Sequence, residues 1–208
     1  MSINLSKMSA GFENVERDSQ RIFRTVMDSF SRPGLRFDMS AIVQASPGED
    51  ASVAGTLLLA LMESASTLYV SKSLQITQWP SFLKFHTGCV LSQDCSQAQF
   101  IWIHQMQDLP SLKNCALGSP EFPDQSSTVI IDVEAIHLPS TPGDGKVWSG
   151  PGIKEPITVD IMGLPKAFWL ERQSLQNLYP CGVDIIFCTP SQIVSLPRST
   201  HIGESACM

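Results

Sequence analysis

Near the end of the chain a proline is followed by an arginine, two hydroxyls and a histidine, Pro197-Arg198-Ser199-Thr200-His201. A guanidinium is a permanent forked cation that pairs with phosphate or carboxylate oxygens, and hydroxyl and imidazole groups add further donors. Arg198, Ser199, Thr200 and His201 are therefore the best candidates for an anion site. Two other readings stay open. At a strand end the arginine could pair with a carboxylate while the hydroxyls satisfy local backbone groups, or the cluster could serve an interface. His86, in Leu83-Lys84-Phe85-His86-Thr87, is a weaker candidate.

No other group points to catalysis. A G-x-S-x-G elbow is absent, and neither Cys181 nor Cys188 has a sequence-visible base to activate it. Lys72, Lys84 and Lys166 sit beside polar or helix-surface positions rather than in the apolar pocket a Schiff-base lysine needs. His104 and His137 end predicted strands with no acidic or thiol partner at ligand spacing, so they are read as structural. There is no H-x-H, H-E-x-x-H or C-x-x-C. The expectation is no catalytic residue, no metal and no cofactor. Gly143-Asp144-Gly145 and Gly150-Pro151-Gly152 match neither phosphate-loop spacing, and are read as turn and bulge geometry.

Composition narrows the class. A chain of 208 residues can bury a sizeable core, and one domain over 1–208 is expected. Net charge is −6 with no Lys/Arg block, which disfavours nucleic acid. Charged residues make up only 16%, a level consistent with partners covering some of the surface. The longest apolar run, Val53 to Met62, falls well short of the roughly 20 residues of a spanning helix. The N-terminus lacks a signal-type apolar core, so no membrane association and a cytoplasmic location are expected. The six cysteines are scattered and read as reduced, mostly buried thiols.

Periodicity supplies the elements. Phe12, Val15, Ile22, Phe23, Val26, Met27 and Phe30 form the stripe of an amphipathic helix over about 12–31, ended by Pro33-Gly34. An α/β body over about 35–201 follows. Strands are predicted at Leu35–Asp38, Thr67–Ser71, Cys89–Leu91, Phe100–Ile103, Ile157–Ile161, Val183–Cys188 and Ile193–Leu196. Helices are predicted at Ala51–Glu63, after a Ser73 cap, after Pro80, at Leu109–Leu117 and at Lys166–Leu178. From Thr128 the apolar residues Val129, Ile131 and Val133 occupy one face and Asp132 and Glu134 the other, and Pro139–Gly145 supplies a turn. Lys146–Ser149 can then return antiparallel as a hairpin arm. Alternation of helix and strand argues for a layered α/β fold.

Several short segments recur in one order along nearly the whole chain: Phe23-Arg24, Ser31-Arg32-Pro33-Gly34, Leu83-Lys84-Phe85-His86-Thr87, Gly150-Pro151-Gly152-Ile153, Tyr179-Pro180-Cys181-Gly182-Val183-Asp184 and Leu196-Pro197-Arg198-Ser199-Thr200-His201. Together they resemble the PhnH family, a subunit of the bacterial carbon–phosphorus (C–P) lyase core complex in phosphonate metabolism. That resemblance implies a three-layer α/β/α fold with a mixed sheet, like the large domain of pyridoxal-phosphate-dependent transferases but without the cofactor site. It also implies a homodimer that joins PhnG, PhnI and PhnJ type subunits, in an assembly forming ribose 1-phosphonate 5-triphosphate from ATP and a phosphonate. The role expected of such a chain is accessory, with no catalysis of its own. The alternative is a free-standing small-molecule enzyme, or a binding protein, that holds a phosphorylated or phosphonylated ligand at Arg198–His201.

Overall fold

Asn14 opens the first helix by accepting the Arg17 N–H on its side chain, and Glu16 and Asp18 favour the positive end of the helix dipole. The computed structural model describes residues 9–42, 46–47, 51–137 and 145–204. This helix, α1 (Val15–Ser31), turns Ile22, Val26 and Ser29 inward. Ser29 Oγ is hydrogen-bonded to Ser195 Oγ, which fixes the helix to the sheet beneath. At Gly34, where the chain leaves α1, φ is +82°, a conformation that residues with a Cβ rarely adopt, so glycine is favoured there.

The remaining elements follow in order. They are β1 (Phe37–Asp38), α2 (Val53–Leu61), β2 (Thr67–Val70), α3 (Lys72–Gln75), α4 (Trp79–Thr87), β3 (Val90–Leu91), β4 (Phe100–Ile103), β5 (Thr128–Asp132) and β6 (Ile136–His137). Then come β7 (Lys146–Ser149), β8 (Ile157–Ile161), α5 (Lys166–Gln176), β9 (Asp184–Cys188), β10 (Gln192–Leu196) and β11 (His201–Glu204). Seven strands form one mixed sheet in the order β1-β10-β9-β5-β4-β2-β3. Its five strands from β9 to β3 are mutually parallel, and β10 is antiparallel to both neighbours. A second, antiparallel sheet runs β11-β7-β8-β6.

The large sheet is covered on both faces. One face packs Ile22, Val26, Leu57, Leu58, Phe82 and Leu83 from α1, α2 and α4. On the other, Trp148, Val159, Phe168 and Ile202, from the small sheet and α5, pack on Val129, Ile131 and Phe187. Fully burying a side chain of this size contributes about 1.5–3 kcal/mol, so the two layers are held chiefly by apolar contact.

Four sequence expectations need correction. The hairpin of Thr128–Glu134 with Lys146–Ser149 does not form: β5 is a central strand between β4 and β9, and β7 pairs with β8 and β11 in the other sheet. Residues 138–144, which held most of the expected turn, lie outside the described residues. Leu109–Leu117 is not a helix but a single 3-10 turn at Leu112–Asn114, because the Glu171 carboxylate reaches across from α5 to take the Leu112 N–H (2.7 Å) and the Ser111 hydroxyl (3.0 Å). Ser71, not Ser73, stands at the start of α3. Ser73 lies inside that helix and gives its N–H to Asp108 (2.8 Å). Finally, His201 opens a strand not foreseen, β11, held by pairing with β7.

Candidate functional site

The Pro197–Thr200 turn joins β10 to β11, and its geometry is set by two arginines. Arg198 gives its backbone N–H to Asp184 Oδ1 (2.8 Å) and its Nε to both carboxylate oxygens (3.2 and 3.1 Å). Its Nη2 also donates to Asp184 Oδ2, and Nη1 donates to the Pro123 carbonyl. The forked charge is thus engaged by the first residue of β9. Arg172 on α5 is almost fully buried and gives Nη2 to the carbonyls of Pro197 (2.8 Å) and Thr200 (3.0 Å). Burial pushes its guanidinium down to about 10, and the Asp184 charge pulls it partly back. Sequence reasoning passed over Arg172, although its spacing with Phe168 and Leu175 puts it on the apolar face of α5.

The four candidate residues do not converge on one point. Arg198 and Ser199 line a cavity of about 590 Å³ with Met27, Tyr179, Pro180 and Pro151. Thr200 is fully buried beneath the turn, and its hydroxyl has no partner among the described residues. His201 is exposed and sits opposite Ser149 in the small sheet. His86 lies elsewhere: its Nε2 is 3.2 Å from the Ser9 carbonyl and its ring packs edge-on to Phe82 and Phe85, tying the N-terminal segment to α4.

A further cluster was missed by sequence reasoning, which found no acidic partner for His104. The structure supplies one. Asp132 Oδ2 accepts from His104 Nδ1 (2.8 Å) and from Trp102 Nε1 (2.9 Å), while the His104 N–H rests on Ser71 Oγ (3.2 Å). The hydrogen bond to Asp132 raises the His104 pKa above its usual 6.5, against a smaller opposing effect of burial. Ile103 faces Ile131 in the parallel register, so the residues that follow, His104 and Asp132, are brought side by side.

The thiols follow burial. Cys89, Cys115 and Cys188 are buried, Cys95 and Cys181 are half-buried, and all five are free; Cys207 lies outside the described residues. Desolvation pushes Cys115 up to about 12 and Cys188 well above the ordinary range. Among the described residues no group of three histidine, cysteine or acidic side chains is placed to hold a metal. Among the described residues no lysine lines the cavities at the carboxyl ends of the parallel strands, so the side chains described there offer no Schiff-base amine. No described helix is long and apolar enough to cross a membrane.

A mixed seven-stranded sheet covered on both faces, an auxiliary antiparallel sheet and an arginine-pinned turn between β10 and β11 define an α/β protein. The family model for "Bacterial phosphonate metabolism protein (PhnH)" matches residues 10–203, and the chain belongs to that family. It is 29% identical over 196 residues to "Alpha-D-ribose 1-methylphosphonate 5-triphosphate synthase subunit PhnH" of Rhizobium meliloti (strain 1021), covering 93% of this chain and 94% of that one. Over 188 residues it is 28% identical to "Putative C-P lyase subunit protein HtxG" of Stutzerimonas stutzeri, covering 88% and 85%.

Proposed function

We propose that this chain is an accessory subunit of a C–P lyase core complex in phosphonate catabolism, supporting formation of ribose 1-phosphonate 5-triphosphate from ATP and a phosphonate. The observation that carries the reading is similarity over almost the full length of both chains to a relative named as a synthase subunit. On this reading the protein works in the cytoplasm as a homodimer, bound to PhnG, PhnI and PhnJ type companions. Its layering is that of a pyridoxal-phosphate transferase large domain without the cofactor, a reading the doubly covered mixed sheet supports.

The Arg198 cluster then serves assembly rather than substrate binding. Its fork is already filled by Asp184, and exposed Phe23, Met27, Leu178 and Tyr179 lie on α1 and in the segment after α5, two regions that both contribute to the cavity beside it. Aromatic and methionine side chains of this kind are enriched at protein interfaces. Co-expression with tagged companion subunits tests the proposal. The chain should copurify in fixed ratio, and omitting it should abolish phosphonate-dependent turnover by the complex. A companion assembly that forms and turns over at full rate without this chain would overturn it.

A further inference from the structure

Across the large sheet the parallel strands stand in the order β3-β2-β4-β5-β9, so β3, the second of them in the chain, lies outside β2, the first. The connection from β2 to β3 runs through α3 and α4, and Leu74, Phe82 and Leu83 pack in one core. The connection from β4 to β5 carries Leu112 and Cys115 into the core on the opposite face. Crossovers therefore part between β2 and β4, and in open α/β sheets a crevice opens beyond the carboxyl ends of the strands at such a point.

Two adjoining cavities lie there, about 740 and 590 Å³, sharing Ala51, Ser52 and His104. Their size is that of small-molecule sites. Both linings mix polar and apolar groups. Toward β5 and β9 stand His104, Asp132, Gln105 and Thr189 beside Val53, Met106 and Val133. Toward β2 stand Leu74, Ile76, Trp79 and Trp102 beside Thr77 and Gln78. His104 stands at the junction, its side chain 51% exposed, with Nδ1 engaged by Asp132 and no hydrogen-bond partner for Nε2 among the described residues. Asp132 is itself occupied by two N–H donors through Oδ2.

We propose that this crevice is a ligand site for a small organic oxyanion, with the charged head on His104 Nε2 and an apolar body against Trp79 and Ile76. The inference stands on geometry and does not depend on the subunit reading. The raised pKa of His104 favours the imidazolium, whose Nε2–H donates to the head while Asp132 balances the charge. The start of α2, at Ser52 and Val53, adds the positive end of a helix dipole. Glu134 is exposed, lines the larger of the two cavities, and leans over Gly163. Its charge disfavours a second anionic group on the ligand, so a compound with one charged head is selected.

The full chain carrying ¹³C-labelled histidine is titrated with phenylphosphonate near pH 6.5, with His104 assigned by its loss in His104→Gln. The His104 ring resonance should shift saturably at millimolar ligand while those of His86, His137 and His201 stay still, and sodium chloride at matched ionic strength should not reproduce the shift. Ile76→Ser, at a position 90% exposed and so harmless to the fold, should weaken phenylphosphonate several-fold and leave methylphosphonate unchanged. Asp132→Asn should weaken both about tenfold, the loss expected for one charge-assisted contact. An absent shift, an equal shift at all four histidines, or phenylphosphonate binding indifferent to both substitutions would overturn the proposal. So would inorganic phosphate binding as tightly as phenylphosphonate.

Discussion

Replacing Arg198 tests whether the best anion-site candidate in the sequence is bound up in the fold. Alanine removes every side-chain bond from Arg198 to Asp184 and the bond to the Pro123 carbonyl, and leaves Asp184 with only the backbone N–H of residue 198. Stripping one partner from a buried ion pair costs about 3–5 kcal/mol. Here the two side chains keep 17% and 22% exposure, so water offsets part of the loss and about 2–3 kcal/mol is expected. Lysine restores charge without the fork and should recover roughly half. Urea unfolding of parent, Arg198→Ala, Arg198→Lys and Asp184→Asn, closed as a double-mutant cycle for the alanine and asparagine variants, measures the coupling directly. A loss below about 0.5 kcal/mol for Arg198→Ala would refute the reasoning and return Arg198 to the pool of ligand-binding groups. If the variants lose stability as expected yet remain folded, their copurification with companion subunits reports whether the turn also serves assembly.

Gly55→Ala in α2 should destabilise by about 1–3 kcal/mol in thermal or urea unfolding, although alanine ordinarily favours a helix, because its Cβ would lie 2.2 Å from the Trp79 ring. Gly152→Ala should lose a similar amount, about 1–3 kcal/mol, since φ is +81° and a Cβ would meet the Ser31 carbonyl at 2.3 Å. Iodoacetamide at pH 8, followed by mass mapping, should modify Cys181 well before Cys115, whose buried thiol is pushed up to about 12, and before fully enclosed Cys188. The folded-state pKa of His104 is raised, so its pairing with Asp132 stabilises fully below about 6.5 and fades as pH rises through the higher folded value. His104→Gln should therefore lose a few tenths of a kcal/mol more at pH 5.5 than at pH 8.5; the reverse ordering in urea unfolding would contradict the pairing.

What the sequence disclosed and what it hid divide along one physical line. Signals carried by neighbouring residues were readable: the apolar stripe of α1, the uncharged run of α2, and the strand Phe100–Ile103 all formed close to their expected bounds. Contacts set by pairing were not. A turn-rich tract after β5 suggested a hairpin, yet Val129, Ile130 and Ile131 are all buried. Three consecutive buried residues mean both faces of the strand are covered, the condition of a central parallel strand rather than a hairpin arm. His104 and Asp132 are 28 positions apart and meet only because β4 and β5 end together. Arg172 reaches a turn 25 residues away in the chain.

The same division bears on where function should be sought. Arg198 was conspicuous because its neighbours in the chain are polar, and such clusters at strand ends often serve to close the strand; here the guanidinium closes on Asp184. His104 was inconspicuous because nothing beside it in the chain is acidic, and yet its Nε2 is left unpartnered among the described residues, at the mouth of two cavities. A side chain whose donors are already spent on the fold must break those bonds before it can bind anything, whereas one held by a single nitrogen is oriented at no such cost. On the two proposals made above, assembly belongs to the arginine-pinned turn and ligand recognition to the strand ends about His104. Loss of one by substitution should leave the other standing: Arg198→Ala should still shift its His104 resonance with phenylphosphonate, and Asp132→Asn should still copurify with its companions. If either variant lost both properties while folded, the two regions would be one coupled site and the separation argued from their hydrogen bonds would fail.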